Sequence, residues 1–182
     1  MAEQTVSVFG TSRARPGEPV FDLAEQLGRA LAEAGFVIAN GGYGGTMLAS
    51  AKGAAQAGGA VVGVTCSAFK RGVANEYVGR EVRTDSLDER LATLVRLGQA
   101  YVVLPGGTGT LLELASVWEL KNKKFFDSDK PIILLSDFWK PVVDVVAMDD
   151  PRSVERIVLA ESPSEAVACI RETLAPQLGS QS

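Results

Sequence analysis

The sequence predicts an α/β fold, in which a doubly wound, mostly parallel sheet is covered by helices on both faces. Two observations support this prediction. Short apolar segments alternate with segments of helical periodicity, and several of the apolar segments are continuous rather than alternating. Continuous apolar strands are typical of parallel sheets that are buried on both faces and joined by helical crossovers. The 182 residues contain no evident linker or repeat, so we expect one domain over 1–182.

Each element follows from local composition and spacing. Apolar or β-branched segments predict seven strands, at 5–9, 36–39, 61–64, 81–83, 101–104, 131–135 and 157–159. Apolar residues at helical spacing predict six helices, at 21–34, 46–57, 86–97, about 110–124, 138–146 (interrupted by a proline) and 162–174. Residues 69–78 lack a clear period and are predicted as loop. The segments 1–4 and 176–182 are predicted as disordered tails.

The composition excludes several classes of function. The net charge of -4 argues against nonspecific binding of nucleic acid, which depends on cationic patches. The chain has no histidine, which excludes histidine bases, histidine-containing triads and zinc sites that use histidine. Without a signal segment or a long apolar run, we expect a cytoplasmic protein that contacts no membrane. Cys66 and Cys169 are then expected to be reduced.

A glycine-rich loop, 105–110, is the strongest functional signal. It follows the apolar segment 101–104 and precedes a predicted helix, whose N-terminus offers unpaired N–H groups and the positive end of the helix dipole. The residues predicted to cradle a phosphate are Gly106, Gly107, Thr108, Gly109 and Thr110. The alternative is a tight turn that needs glycine for its backbone. We favour the phosphate because three glycines and two hydroxyls exceed what a turn needs.

Two charged residues near this loop have more than one interpretation. Glu113 stands three residues after Thr110, which is the spacing of a capping box, and by itself this spacing favours a capping role. Arg90 lies early in its predicted helix among other charges, where a solvated surface arginine is the usual outcome. A second glycine-rich segment, 41–46, also joins a strand to a helix. It matches neither the dinucleotide-binding fingerprint nor the Walker A loop.

Together these residues resemble the LOG (Lonely Guy) family, the phosphoribohydrolases that act on cytokinin nucleotides. The family signature P-G-G-x-G-T-x-x-E is met from Pro105 to Glu113, and the upstream family arginine matches Arg90. The end of the first strand and the glycine-rich segment 41–45 match as well, so the resemblance covers about 5–174. It implies further substrate-binding residues at Gly10, Ser12, Gly42, Gly44 and Met47.

The resemblance implies a Rossmann-like fold and a homodimer or larger assembly. It also implies hydrolysis of the N-glycosidic bond of a nucleoside 5′-monophosphate, AMP or a modified adenine nucleotide, to free base and ribose 5-phosphate. Arg90 and Glu113 would be the essential catalytic pair, with no metal or other cofactor. The chain departs from the family pattern at Leu91, where lysine is common, and at Thr108, where tyrosine is common. These departures leave the preferred base open.

A second function remains open. The sequence is also similar to the molybdenum-cofactor carrier proteins, which share this fold and a similar Pro-Gly-Gly loop. The altered segment 41–46 is the reason to keep this alternative. The protein would then bind a nucleotide or a molybdopterin cofactor without turning it over.

Overall fold

The computed structural model describes residues 4–69, 73–126 and 128–175. Within these ranges it contains one sheet of seven strands, all paired in parallel. The strands are β1 (Thr5–Phe9), β2 (Val37–Asn40), β3 (Val61–Cys66), β4 (Arg80–Thr84), β5 (Ala100–Val103), β6 (Ile132–Leu135) and β7 (Ile157–Ala160). The predicted α/β alternation and the predicted strands are therefore confirmed.

Six α-helices connect or follow these strands in the described part of the chain. They are α1 (Pro19–Glu33), α2 (Thr46–Gln56), α3 (Leu87–Leu97), α4 (Thr108–Asn122), α5 (Lys140–Asp149) and α6 (Pro163–Leu174). Pro141 does not interrupt its helix, because it lies in the first turn of α5, where a backbone donor is not needed. None of the helices in the described ranges is long and apolar enough to cross a membrane.

The predicted tails lie mostly outside the described residues, which begin at Gln4 and end at Ala175. Gln4 itself is not a free tail residue, because its carbonyl accepts a hydrogen bond from the Val37 N–H at 2.9 Å. The predicted loop 69–78 is confirmed as irregular at Phe69 and over 73–78, and its residues 70–72 lie outside the described part.

The core has two layers, one on each face of the sheet. Helices α1, α2 and α6 pack on one face, and α3, α4 and α5 pack on the other. Alternate residues of β5 supply the two layers: Val102 points to the first, and Tyr101 and Val103 point to the second. Inner strands such as β5 and β6 are buried along their whole length because both faces are covered, which explains the continuous apolar segments in the sequence.

The strand order is β4-β3-β2-β1-β5-β6-β7. Strands β2 to β4 are added on one side of β1 and strands β5 to β7 on the other, so the switch point lies between β1 and β5. Ligands of such sheets bind outside the carboxyl ends of the strands at this switch point. Here the loops after β1, β2 and β5 are joined directly. The Thr11 N–H donates to the Pro105 carbonyl at 3.1 Å, and the Thr46 N–H donates to the Thr11 carbonyl at 2.9 Å. The glycine-rich segments after β2 and β5 therefore lie at the same edge of the sheet.

Helix α3 begins with a side-chain cap. The Ser86 hydroxyl accepts from the Glu89 N–H at 3.1 Å, and the Glu89 carboxylate accepts from the Asp85 N–H at 2.9 Å. The reciprocal bond thus reaches one residue further upstream than in the usual capping box. This cap fixes the first turn of α3, and Arg90 is the next residue.

Candidate active site

A cavity of about 430 Å³ opens at the carboxyl edge of the sheet, between the loops that follow β1, β2 and β5. Its volume lies within the ~300–1,000 Å³ that is typical of small-molecule sites. Nine of the predicted site residues line it: Gly10, Ser12, Met47, Arg90, Gly107, Thr108, Gly109, Thr110 and Glu113. The predicted residues Gly42, Gly44 and Gly106 are not among those that line the cavity. The cavity is also lined by seven residues that were not predicted from the sequence: Thr11, Arg13, Tyr43, Phe69, Leu87, Leu91 and Leu112.

Arg90 is buried, with only 9% of its side chain exposed, so the interpretation as a solvated surface residue is wrong. Its Nε–H donates to the Val64 carbonyl at 2.8 Å, and this bond compensates part of the desolvation of the guanidinium. The guanidinium carbon lies 5.9 Å from the ring centroid of Tyr43 and 5.7 Å from that of Phe69. Nη1 lies 3.6 Å from Oε1 of Glu113.

Glu113 does not cap its helix. The N-cap of α4 is Gly107, and the helix begins at Thr108, so Thr110 lies inside the first turn rather than at the cap. The capping-box interpretation is therefore wrong. The carboxylate points instead toward Arg90 on α3, and 14% of the side chain is exposed.

Burial raises the pKa of Glu113 to about 7, and the nearby positive charge of Arg90 opposes this rise. Near neutral pH the carboxyl group is therefore poised between its protonated and charged forms. A carboxyl with a pKa close to the working pH can both hold and release a proton, which is a property of catalytic acids and bases.

The loop 105–110 has two kinds of residue. Thr108 and Gly109 are exposed at the cavity, and no side chain caps the N-terminus of α4. Thr110 is buried, and a Cβ placed at Gly106 would overlap its hydroxyl. Gly106 is thus a packing requirement of the turn, whereas Gly107, Thr108 and Gly109 face the open space. Of the five residues predicted to bind a phosphate, Gly106 is thus the one that does not line the cavity, and Gly107, Thr108, Gly109 and Thr110 do.

The glycine-rich segment after β2 is organised by Asn40, which is fully buried. Its Nδ2 donates to the Met47 carbonyl at 2.9 Å and to the Ser50 hydroxyl at 3.1 Å. Its Oδ1 accepts from the Gly42 N–H at 2.8 Å. Gly42 has a φ of 75°, which a side chain would strain, so this glycine shapes the loop and is not on the cavity wall. Gly44 is exposed on the outside of the same loop.

Tyr43 is the most informative residue that the sequence analysis missed. Its hydroxyl accepts from the Cys66 N–H at 2.8 Å and donates to the Cys66 carbonyl at 3.2 Å, which fixes the ring against the end of β3. The ring is then held beside Arg90. The available signal was an aromatic side chain inside a glycine-rich loop at the functional edge of the sheet.

Arg13 is the one charged residue among the described cavity-lining residues that were not predicted from the sequence. It is exposed in the loop after β1, and its Nη2 lies 3.4 Å from the position that a Cβ would take at Gly107. The backbone N–H of Arg13 donates to the Thr11 hydroxyl at 3.2 Å. The structure thus places Arg13 beside Gly107 and Arg90 beside Glu113. The signal in the sequence was its position next to Gly10 and Ser12, both of which were predicted to face the ligand.

The sheet order and the cavity define a Rossmann-like α/β protein with a cavity of small-molecule size at its topological switch point. Residues 3–167 match the family model described as LDcluster4, the SLOG cluster4 family, and the chain belongs to this family.

Two sets of relatives extend this assignment. The chain is 34% identical to the cytokinin riboside 5′-monophosphate phosphoribohydrolase of Mycobacterium marinum, over 91% of this chain and 92% of that protein. It is 29% identical to the same-named protein of Mycobacterium tuberculosis, with the same two coverages. The resemblance to the LOG family is therefore confirmed. The solved structure of a molybdenum cofactor binding protein from Rippkaea orientalis superposes with a TM-score of 0.77 and 27% identity, over 94% of this chain and 98% of that chain.

Proposed function

We propose that the protein hydrolyses the N-glycosidic bond of a nucleoside 5′-monophosphate, AMP or a modified adenine nucleotide, to free base and ribose 5-phosphate. The observation that carries this proposal is the Arg90–Glu113 pair, buried in a cavity that also contains the uncapped N-terminus of α4. The names of the mycobacterial relatives, which include phosphoribohydrolase, support it.

The 5′-phosphate would bind at the N-terminus of α4. There the backbone N–H groups of the first turn have no side-chain cap, and the helix dipole favours a negative charge. Arg13 stands beside Gly107 and can pair with the same phosphate, because a guanidinium matches phosphate oxygens in charge and geometry. The phosphate thereby serves as a remote handle, whose binding energy holds the ribose in place.

The ribose would then lie between this loop and Glu113. Cleavage of a ribosyl C–N bond passes through an oxocarbenium-like centre, as glycoside hydrolysis does. The C1′–N bond breaks with its electron pair on the base, a water oxygen bonds to C1′, and the base takes up a proton from solvent, which balances the proton that the water loses to Glu113. Glu113 acts in its charged form, in which it stabilises the cationic C1′ and accepts the proton of the attacking water. Arg90 keeps part of the Glu113 population charged by opposing the effect of burial.

The test is an assay of product release. Purified protein is incubated with AMP, with N6-substituted AMP and with adenosine, and free base and ribose 5-phosphate are quantified by chromatography. We expect base and ribose 5-phosphate in equal amounts from the monophosphates. Adenosine should react at least about a hundredfold more slowly, because it lacks the 5′-phosphate whose binding holds the ribose in place. A folded protein that releases no base from any monophosphate would refute the proposal.

A second function is favoured by one observation, the similarity over almost the whole chain to the Rippkaea orientalis molybdenum cofactor binding protein. In this alternative the cavity binds a nucleotide or a molybdopterin cofactor and releases it unchanged. The two functions differ in one measurement. A carrier retains the ligand intact after prolonged incubation, whereas the hydrolase converts a monophosphate to two products.

The proposal includes a homodimer or larger homo-oligomer. Phe125 is 71% exposed and borders a hollow of about 760 Å³ between α3 and α4, next to the half-buried Leu91 and Phe126. Exposed apolar side chains that border such a hollow are characteristic of contact surfaces between subunits. Light scattering on the native protein should give a mass of at least twice 19.2 kDa, and Phe125→Asp should lower it. A native mass of one chain would refute this part of the proposal.

A further inference from the structure

Gly41 lies directly against the guanidinium of Arg90. A Cβ placed at Gly41 would overlap Nη2 of that side chain, and it would also come within 2.5 Å of the Met47 sulfur, which lies near the free end of a flexible side chain. Gly41 is buried, and it is not among the glycines with a positive φ, so its backbone conformation is open to alanine. Glycine is required here for space: the guanidinium occupies the volume that a methyl group would fill.

Other groups restrict the guanidinium on its remaining sides. The Val64 carbonyl holds Nε, and the Tyr43 and Phe69 rings lie 5.9 and 5.7 Å from the guanidinium carbon. Tyr43 cannot move aside freely, because its hydroxyl is bonded to both backbone groups of Cys66. With these contacts in place, Nη1 points to Glu113.

We propose that Gly41 is a positioning residue, which leaves the space in which the Arg90 guanidinium is held at Glu113. Gly41 touches the arginine and acts on the reaction only through it. The effect on turnover rests on the proposed function, but the effect on the Arg90–Glu113 distance does not. A methyl group at this position would push the guanidinium away from Val64 and out of reach of Glu113.

The experiment compares Gly41→Ala with Gly44→Ala, a change in the same loop. Gly44 is a matched control because it too lacks a positive φ, and a Cβ there would have only an ordinary contact with the Ser12 carbonyl, at 3.8 Å. The first readout is the titration of the Glu113 carboxyl carbon by NMR in the ligand-free protein. We expect Gly41→Ala to raise the pKa of Glu113 toward the value that Glu113 has in the Arg90→Ala variant. Gly44→Ala should leave the pKa of Glu113 at the wild-type value. An unchanged titration in a folded Gly41→Ala protein would overturn the proposal.

The second readout is the kcat for a nucleoside monophosphate. Gly41→Ala should lower kcat by about a hundredfold, the size expected when a catalytic group is displaced by about 1 Å. In the Arg90→Ala background the same change should lower kcat no further, because the guanidinium is absent. An equal loss in both backgrounds would mean that Gly41 acts independently of Arg90, which refutes the proposal. If the wild type has no hydrolytic activity, the proposed function fails while the NMR titration still decides the role of Gly41.

The double variant also covers a failure to fold. If Gly41→Ala alone does not fold, Gly41→Ala with Arg90→Ala is compared with Arg90→Ala by thermal unfolding. Equal midpoints would support the proposal, because removal of the guanidinium would then have made room for the methyl group. A double variant that still fails to fold would overturn it.

Discussion

Nη1 of Arg90 lies 3.6 Å from Oε1 of Glu113, although the two residues stand on different helices, α3 and α4. The distance is longer than the ~2.7–2.9 Å of a direct charge-assisted hydrogen bond. The two groups are therefore close enough for each to affect the pKa of the other. They do not form a direct hydrogen bond, so Nη1 can still donate to a ligand and Oε1 can still accept from one. A ribose hydroxyl or a water molecule that lies beside the pair can accept from Nη1 and donate to Oε1.

Arg13 is predicted to bind the phosphate. Arg13→Gln should raise the KM for AMP by roughly 10- to 150-fold, because one charge-assisted hydrogen bond is worth roughly 1.5–3 kcal/mol, and should change kcat less. Steady-state kinetics at fixed ionic strength measure both constants. Arg15→Gln is the control, since it removes the same charge from the same exposed loop and Arg15 is not among the residues that line the cavity. Equal KM values for Arg13→Gln and wild type would contradict this role.

The stability of the protein should depend on pH through Glu113. The pKa of this group is about 7 in the folded protein, above the ordinary value of 4.5, so the folded state binds more protons between these values. The resulting stabilisation is fully present below pH 4.5 and is lost as the pH rises through 7, by up to about 3 kcal/mol.

Urea unfolding of wild type, Glu113→Gln and Glu119→Gln across pH 4.5 to 8 measures this effect. The free energy of unfolding of the wild type should fall relative to that of Glu113→Gln as the pH rises. Glu119 is an exposed residue of the same helix, and Glu119→Gln should follow the wild type. Parallel curves for the wild type and Glu113→Gln would show that burial does not raise the pKa of Glu113.

The rate should follow the same titration. Since Glu113 acts as a carboxylate in the proposed mechanism, kcat/KM for a nucleoside monophosphate should increase with pH and level off above the Glu113 pKa of about 7. The profile is compared with the NMR titration of the carboxyl carbon in the free protein. A rate that decreases as Glu113 loses its proton would assign it the role of a general acid instead.

Asn40 is predicted to be a structural support of the site. Asn40→Ala removes its bonds to the Met47 carbonyl and the Gly42 N–H in a fully buried position, and should lower the free energy of unfolding by about 1–3 kcal/mol. Chemical denaturation measures this change. Gln56→Ala, which removes an exposed amide bonded to Arg29, should stay within about 0.5 kcal/mol of the wild type. If the two variants lose the same stability, Asn40 has no special role.

The sequence was sufficient to predict the elements and the edge of the sheet that carries the site. Parallel strands buried on both faces leave a continuous apolar signal, and the loops after β1, β2 and β5 carry glycines that mark them. The strand order could not be predicted from the sequence, because periodicity indicates whether a strand is buried and not which strands lie beside it.

The errors at the site have a common physical cause. In the local sequence, the charges around Arg90 indicate a surface residue, and the spacing of Glu113 from Thr110 indicates a helix cap. Their actual partners come from other elements: the Val64 carbonyl from β3, the Tyr43 ring from the loop after β2, and each other. Such tertiary contacts leave no periodic pattern in the chain, and only the family resemblance indicated that the two charges belong together.

The central claim is that Glu113 is the carboxylate that drives cleavage of the C1′–N bond. It is tested most directly by the amounts of base and ribose 5-phosphate that wild type, Glu113→Gln and Glu119→Gln form from AMP or N6-substituted AMP under identical conditions. We expect both products in equal amounts from wild type and Glu119→Gln. For Glu113→Gln we expect a rate lower by about 10²–10⁴-fold, with the fold retained. Product formation by Glu113→Gln at the wild-type rate would contradict it.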